Sequence, residues 1–227
     1  MIPIGDDAPS GTFPYVNVSL IIINILVFIY ELSLGTGAQS LISSYGVVPG
    51  QVTLSLANLN PAEFSDKFVT AIFIHGGWLH LIGNMLYLWI FGDNVEDRLG
   101  HFRYLAFYLL AGAVAMAAHV GSMPGSMEPA IGASGAVAGV LGAYLIMFPR
   151  AKVYIVIPLF LFFPVFSIKA IYVLGFWFFQ QLLSGASAII DPQLAGGVAW
   201  WAHIGGFFVG MLYARFFYRP PRMRINY

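Results

Sequence analysis

The stretch VYIVIPLFLFFPVFSIKAIYVLGFWFFQQLL, residues 153–183, decides how many times this chain crosses a membrane. A helix needs about 20 mainly apolar residues to span a bilayer, and this run is too long for one span. Pro158, Pro164 and Lys169 interrupt it, so it holds either one helix or two. The charges elsewhere arbitrate, because Lys and Arg collect in short cytoplasmic loops. If 153–168 is interfacial or re-entrant and only 169–185 spans, there are six helices and both termini share one side. That side then carries Arg98, Arg103, Arg150, Lys152, Lys169, Arg215, Arg219, Arg222 and Arg224, against Lys67 alone on the other. A seventh span would put the arginines of the C-terminal tail across the membrane from the other basic loops.

The expected fold is therefore an all-α integral membrane protein, one domain over 1–227, with both termini cytoplasmic. Its six helices lie near 15–34, 74–92, 104–123, 131–148, 169–185 and 196–217. The connection 35–73 is too long for a simple turn; with turn signals at Pro49-Gly50 and Asn60-Pro61, it should form short structured pieces on the membrane. Composition agrees. The 227 residues are 59% hydrophobic and 9% charged, where soluble domains carry about a quarter charged, and the mean hydropathy is +0.81. Zero net charge without a basic block excludes a nucleic-acid partner. The absence of cysteine removes disulfides, thiolate metal sites and a cysteine nucleophile, and no metal or cofactor is expected. No internal repeat stands out, which argues against an inverted-repeat transporter.

Polar groups at membrane depth are expensive and usually functional, and the intramembrane list reads His80, Asn84, Ser134 and His203. Each has a bland reading: a serine among glycines is a packing residue, and an asparagine is interhelical glue. Placed on the six-helix topology, however, His80, Ser134 and His203 fall in one layer near the outer ends of three inward-running helices. His80 and Asn84, at i and i+4, project from one helix face. Ala202, Gly206 and Gly210 form a small-residue stripe beside His203, with Gly132, Gly135, Gly139 and Gly142 as its counterpart. Two such helices can bring a serine and a histidine into hydrogen-bond reach.

Those are the parts of acyl transfer. A serine hydroxyl becomes a nucleophile when a neutral histidine takes its proton, and Asn84, His80 and the Ser134 backbone N–H can face the developing oxyanion. No carboxylate obviously orients the histidine, since Asp191 is the only acid in the loop before the last helix. The expected machinery is a Ser134–His203 dyad. GASGA is not the G-x-S-x-G elbow of soluble hydrolases.

HGGWLHLIGNMLYLWIFGDNVEDRLG (75–100), GASGAVAGVLGAY (132–144) and AHIGGFFVG (202–210), joined by YGVVPG (45–50) and FPRAKV (148–153), resemble the signatures of the rhomboid intramembrane serine proteases, in that family's order and spacing. The likeness is to the prokaryotic, six-helix type. It implies a water-accessible cavity open to the outside and hydrolysis of peptide bonds in or near the transmembrane segment of single-span substrates. It implies Ser134 as nucleophile, His203 as general base, His80 with Asn84 as the oxyanion pair, Gly132 opening the serine motif, Gly206 and Gly210 in the last signature, and Glu96 as a structural carboxylate. The expected location is a bacterial or archaeal plasma membrane.

Two features depart from the pattern. The Trp-Arg pair of some members' first external loop is missing, and Ala138 stands where some carry an aromatic residue against the catalytic histidine, leaving that packing to Trp200 or Trp201. The rival reading is a rhomboid-like pseudoprotease that binds clients without cutting them, but such relatives typically lack the serine or the histidine. The region 169–185, whose apolar run Phe176, Trp177, Phe178 and Phe179 is read as having no polar anchor, and the loop 185–197 are expected to form the mobile side and lid of the site, so that shortening Trp177 or Phe179 to alanine leaves activity intact or raises it on membrane substrates.

Overall fold

A computed structural model describes residues 2–160, 162–191 and 196–218; Arg219, Arg222 and Arg224 of the basic tail lie outside the described residues, as do residues 192–195 of the expected lid. The chain opens with strand β1 (Ile2–Asp6) and the long helix α1 (Tyr15–Ser33). The external connection folds into α2 (Ala38–Tyr45), α3 (Pro49–Ala57) and the single turn α4 (Lys67–Thr70), with 3-10 turns between and after them. Then follow α5 (Trp78–Leu99), α6 (His101–Ser122), α7 (Ser134–Met147), strands β2 (Lys152–Val156) and β3 (Val165–Lys169), α8 (Ala170–Ile190) and α9 (Trp200–Phe217).

The chain is mostly helical but not all-α. Strands β1, β2 and β3 form one antiparallel sheet in that order, with Val153 opposite Ile168 and Ile155 opposite Phe166. The reason lies in the stretch that opened the sequence reading. Its Val, Ile and Tyr alternate in burial along β2, with Val153 and Ile155 packed into the core and Lys152 and Tyr154 facing out, the period of a half-buried strand. Pro158 and Pro164 then frame the turn, which a continuing helix would not tolerate. Helix α8 takes over only after Lys169.

By length and composition α1, α6 and α8 can each cross a membrane, and residues 61–73 with α5 form a pair bent by 81° that passes the same test together. Helix α7 starts at Ser134 rather than 131 and has 14 residues, about 21 Å at 1.5 Å per residue. That is short of the about 30 Å of a hydrocarbon core. The helix is nearly all buried, with every residue from Gly135 to Tyr144 covered by α5, α6, α8 and α9.

Glycine makes that burial possible. A Cβ on Gly206 would collide with the Gly135 carbonyl oxygen, one on Gly210 with that of Gly139, and one on Gly142 with that of Phe207. The backbones of α7 and α9 therefore touch along their length, as small residues allow. On the other flank of α7, a Cβ on Gly135 or Gly139 would come within 2.6 Å of Ala115 or Ala111 of α6.

At the far end of the bundle from Ser134, the start of α1 is held by α5. Glu96, fully buried, accepts from the backbone N–H groups of Val16 (3.0 Å) and Asn17 (2.7 Å) and from the ring of His101. A carboxylate set on first-turn donors satisfies groups that no intrahelical acceptor reaches. The Asn17 side chain continues the network, donating to the Leu88 carbonyl and accepting from the Tyr104 hydroxyl. Strand β1 joins this end through Asp6, which accepts from the Tyr144 hydroxyl at 2.7 Å, and through Asp7, which accepts from the Lys152 N–H.

Two outcomes follow. Gly210→Ala should lower stability by about 1–3 kcal/mol or more, the cost of overpacking, whereas Gly175→Ala, whose Cβ meets nothing within 4 Å, should be neutral in thermal unfolding in detergent. Burial pushes the Asp6 carboxyl up from 3.8 to about 6, against the opposing bonds from Tyr144 and Ala8. The folded state therefore holds this proton more tightly than the unfolded one, so Asp6 makes stability fall as pH rises from 3.8 through about 6. Unfolding measured across that window should show the slope in the parent and lose it in Asp6→Asn.

Candidate active site

Ser134 is the first residue of α7 and His203 lies in the first turn of α9. The glycine contact between these helices brings the two side chains together, with His203 Nε2 and Ser134 Oγ 2.8 Å apart. Both residues are half-buried.

The partners fix which way the proton lies. Gln181 of α8 is buried, and its Nε2 donates to the Trp177 carbonyl at 3.0 Å, an atom that can only accept. Its Oε1 is thereby turned to His203 Nδ1 at 2.9 Å. An amide oxygen also only accepts, so Nδ1 carries the hydrogen, and Nε2 of a neutral ring keeps its lone pair for the Ser134 O–H. Around the imidazole stand Trp200, edge-on at 5.9 Å between centroids, and Trp177 at 6.0 Å. Trp200 is one of the two tryptophans expected there; Trp177 and Gln181 were not foreseen. Their presence corrects the reading of 176–179 as a run without a polar anchor, because one helical turn of α8 both packs on and bonds to the histidine.

His80 and Asn84 lie on one face of α5. Gly132 adopts φ +114°, a region that favours glycine, and a Cβ there would sit 2.5 Å from His80 Nε2. The opening glycine therefore lets the chain just before Ser134 pass directly over the imidazole. Asn84 is buried, with its Nδ2 3.1 Å from Nε2 of a second histidine, His75. The His75 Nδ1 faces the Phe73 carbonyl at 3.3 Å and so donates, which makes its Nε2 the acceptor of an Asn84 N–H. The His75 backbone N–H in turn lies 3.2 and 3.3 Å from the two carboxylate oxygens of Glu31, buried in α1. Among the described residues the second hydrogen on Asn84 Nδ2 has no acceptor. Gly206 and Gly210 lie in the helix contact, and Glu96 lies at the opposite end of the bundle.

The loops leading into α7 and α9 enclose a cavity of about 560 Å³, lined among others by His119, Glu128, Ala130, Ile189, Val198 and Ala199. Ala199, the last of these, lies one helical turn before His203 and accepts from its backbone N–H, while Ser134, His203, His80 and Asn84 are not among the lining residues. His119, in the last turn of α6, lines this cavity too.

Glu31, His75 and Gln181 escaped the sequence reading. Glu31 lies near the end of the first expected span, where an acid marks a boundary, and His75 and Gln181 lie inside a signature and an apolar run. A glutamine within α8, whose surroundings are aromatic and aliphatic, was the available signal.

Residues 64–220 match the family model of the rhomboid domain. The chain is 29% identical over 167 residues to the human presenilin-associated rhomboid-like protein, mitochondrial, covering 69% of this chain and 40% of that protein. It is 31% identical over 164 residues to the zebrafish (Danio rerio) presenilin-associated rhomboid-like protein A, mitochondrial, covering 68% and 38%. With rhomboid protein 1, mitochondrial, of Saccharomyces cerevisiae it shares 31% over 158 residues, covering 65% and 40%. The chain thus spans about 40% of the length of these curated relatives. Their mitochondrial designation overturns the expected bacterial or archaeal plasma membrane. That expectation rested on span count and on likeness to the prokaryotic type, neither of which carries an address. What the matched signatures and the match across 64–220 establish together is membership: this chain belongs to the rhomboid family.

Proposed function

We propose that the chain is an intramembrane serine endopeptidase that cleaves single-span membrane proteins in or near their transmembrane segment, working from a single domain with six spans and both termini on the basic side. The observation that carries this reading is the 2.8 Å approach of His203 Nε2 to Ser134 Oγ, with Gln181 holding the far side of the ring.

In the proposed reaction Ser134 Oγ attacks the scissile carbonyl carbon as its proton passes to His203 Nε2. The new C–O bond displaces the carbonyl π electrons onto oxygen. Ser134, as the first residue of α7, has a backbone N–H without an intrahelical acceptor; this donor, the free Asn84 N–H and His80 face the oxyanion. As the intermediate collapses, the C–N bond breaks and His203 returns its proton to the leaving amine. Water then takes the place of the amine, and the acyl group is released from Ser134 Oγ by the same steps in reverse, His203 accepting the proton of water and returning it to the serine oxygen. The shortness of α7 fits this chemistry, since 14 residues rise only about 21 Å and would leave its first residue, Ser134, below the level of a full-length span's end. Gln181 does the work that a carboxylate does in a triad: it fixes the tautomer, though without a full negative charge.

Three variants test the roles. A fluorophosphonate should form one adduct per chain, at Ser134, lost in His203→Ala and kept in His119→Ala; mass spectrometry showing label elsewhere, or label surviving the loss of His203, would sink the assignment. Equal cleavage of a model substrate by the parent and Ser134→Ala would reduce the chain to a client-binding pseudoprotease.

Asn84→Ala should lower kcat by about 10² to 10³, as for one oxyanion donor, with KM little changed. Gln181→Ala should lower kcat by about fivefold, the kinetic equivalent of one net hydrogen bond of about 1 kcal/mol. Trp177→Ala should fall with it, while Phe179→Ala, on the outward face of α8, should keep full turnover. Steady-state kinetics in liposomes that put Trp177→Ala at parental kcat would return α8 to the role of a passive wall.

A further inference from the structure

The hairpin β2–β3 leaves a surface that the proposed chemistry does not use. Its strands lie along the end of the helix bundle, because Val153 and Ile155 are buried in the core and Ile157 and Ile168 pack against it. Beyond Ile157 the hairpin leaves that support. Its tip is apolar throughout: Leu159 is 54% exposed, Phe160 fully exposed, Phe162 76% and Phe163 62%. A surface loop with this composition is anomalous in water, where exposed apolar patches mark an interaction site.

The backbone of the tip is unusual in a second way. Ile157 N–H donates to the Pro164 carbonyl (3.2 Å), and Leu159 and Phe162 exchange a reciprocal pair at 2.9 Å. Pro158 and Pro164 have no N–H to satisfy. Ile157, Leu159 and Phe162 thus spend their N–H groups within the hairpin, and two further positions have none to expose. Hydrocarbon imposes that requirement, and a water-facing loop has no need of it.

The root of the hairpin has the opposite character. Arg150, Lys152 and Lys169 are all exposed there, Lys152 directly across the ladder from Lys169. The acidic groups facing them come from the N-terminal segment: Asp7, already bonded to the Lys152 backbone, and Asp6, bonded to Tyr144. Three cations beneath an apolar tip match the cross-section of an anionic leaflet, with phosphates at the root and acyl chains at the tip.

We propose that the β2–β3 hairpin is a lipid wedge: Phe160, Phe162 and Phe163 insert into the acyl region of the leaflet on the basic side while Arg150, Lys152 and Lys169 hold anionic headgroups. The wedge does not depend on the chemistry at Ser134. It fixes the depth and tilt of the end of the bundle from which α8 begins, since β3 runs directly into that helix.

The chain has no cysteine, so single cysteines can be placed and spin-labelled in the intact protein. Phe160→Cys and Lys152→Cys, both at exposed positions, would be compared in vesicles of phosphatidylcholine with and without phosphatidylglycerol. The label at 160 should be relaxed more by dissolved oxygen than by a water-soluble nickel chelate, and the label at 152 the reverse, with 160 lying deeper when phosphatidylglycerol is present. Nickel access at 160 equal to that at 152 would overturn the wedge. So would spin–spin broadening at 160 that disappears on dilution with unlabelled protein, because a second copy would then cover the tip. Depth at 160 indifferent to phosphatidylglycerol would overturn the role given to the basic root.

Discussion

Everything functional in this molecule depends on the backbone contact between α7 and α9. Carbonyl oxygens of Gly135 and Gly139 occupy the space where side chains of residues 206 and 210 would stand, so the helix axes approach as closely as their main chains permit. Wider separation by even one methyl group would move Ser134 and His203 out of hydrogen-bond range. In a bilayer, where lipid is as apolar as leucine, helices gain little from burying apolar surface and associate through such close packing. The seam is thus both the main cohesive element of the bundle and the device that sets the 2.8 Å distance at the site.

Around that contact, His203 and Asn84 are each held by a second polar group. Gln181 turns His203, His75 turns Asn84, and Glu31 holds the backbone of His75. Fixing donors before a substrate arrives is what makes a low-dielectric site effective, since no reorganisation remains to be done when charge develops. The arrangement draws on α1, α5, α8 and α9 for side chains and on α7 for its N-terminus, which explains why short signatures scattered across the chain must all be present together.

Much of this was legible in the sequence, for reasons specific to membranes. Desolvation makes polar residues in apolar runs rare, so Ser134, His203, His80 and Asn84 stood out, and glycine repeats at helical spacing announced which helices touch. The sheet was not legible, because 153–168 could be read as an apolar segment of either period until Pro158 and Pro164 were placed at a turn. Gln181 was missed through looking for a carboxylate by analogy with soluble triads, when a neutral acceptor meets the same tautomeric need at less desolvation cost. Glu31 was hidden at the end of a span, where an acid reads as a boundary marker. Cellular address was beyond reach, since span number and charge bias are common to many membranes and relatives alone carried the correction.

The position of Gln181 has a consequence for how a substrate could enter. Its bond to His203 and the packing of Trp177 on the same ring tie α8 to the reacting groups, yet α8 is otherwise among the least covered helices, with Phe176, Phe179, Leu182 and Leu183 exposed. A helix so placed cannot swing away from α9 without releasing the histidine. If a transmembrane segment enters between α8 and the rest of the bundle, the histidine loses its tautomeric anchor during entry and regains it only when α8 closes again. The proposed chemistry would then run at its full rate only with the side door shut and several-fold more slowly with it open, by the one hydrogen bond that entry costs. Entry from the cavity above α7, past Val198 and Ile189, leaves the Gln181 bond intact throughout. The two routes differ in whether one hydrogen bond survives the approach of substrate.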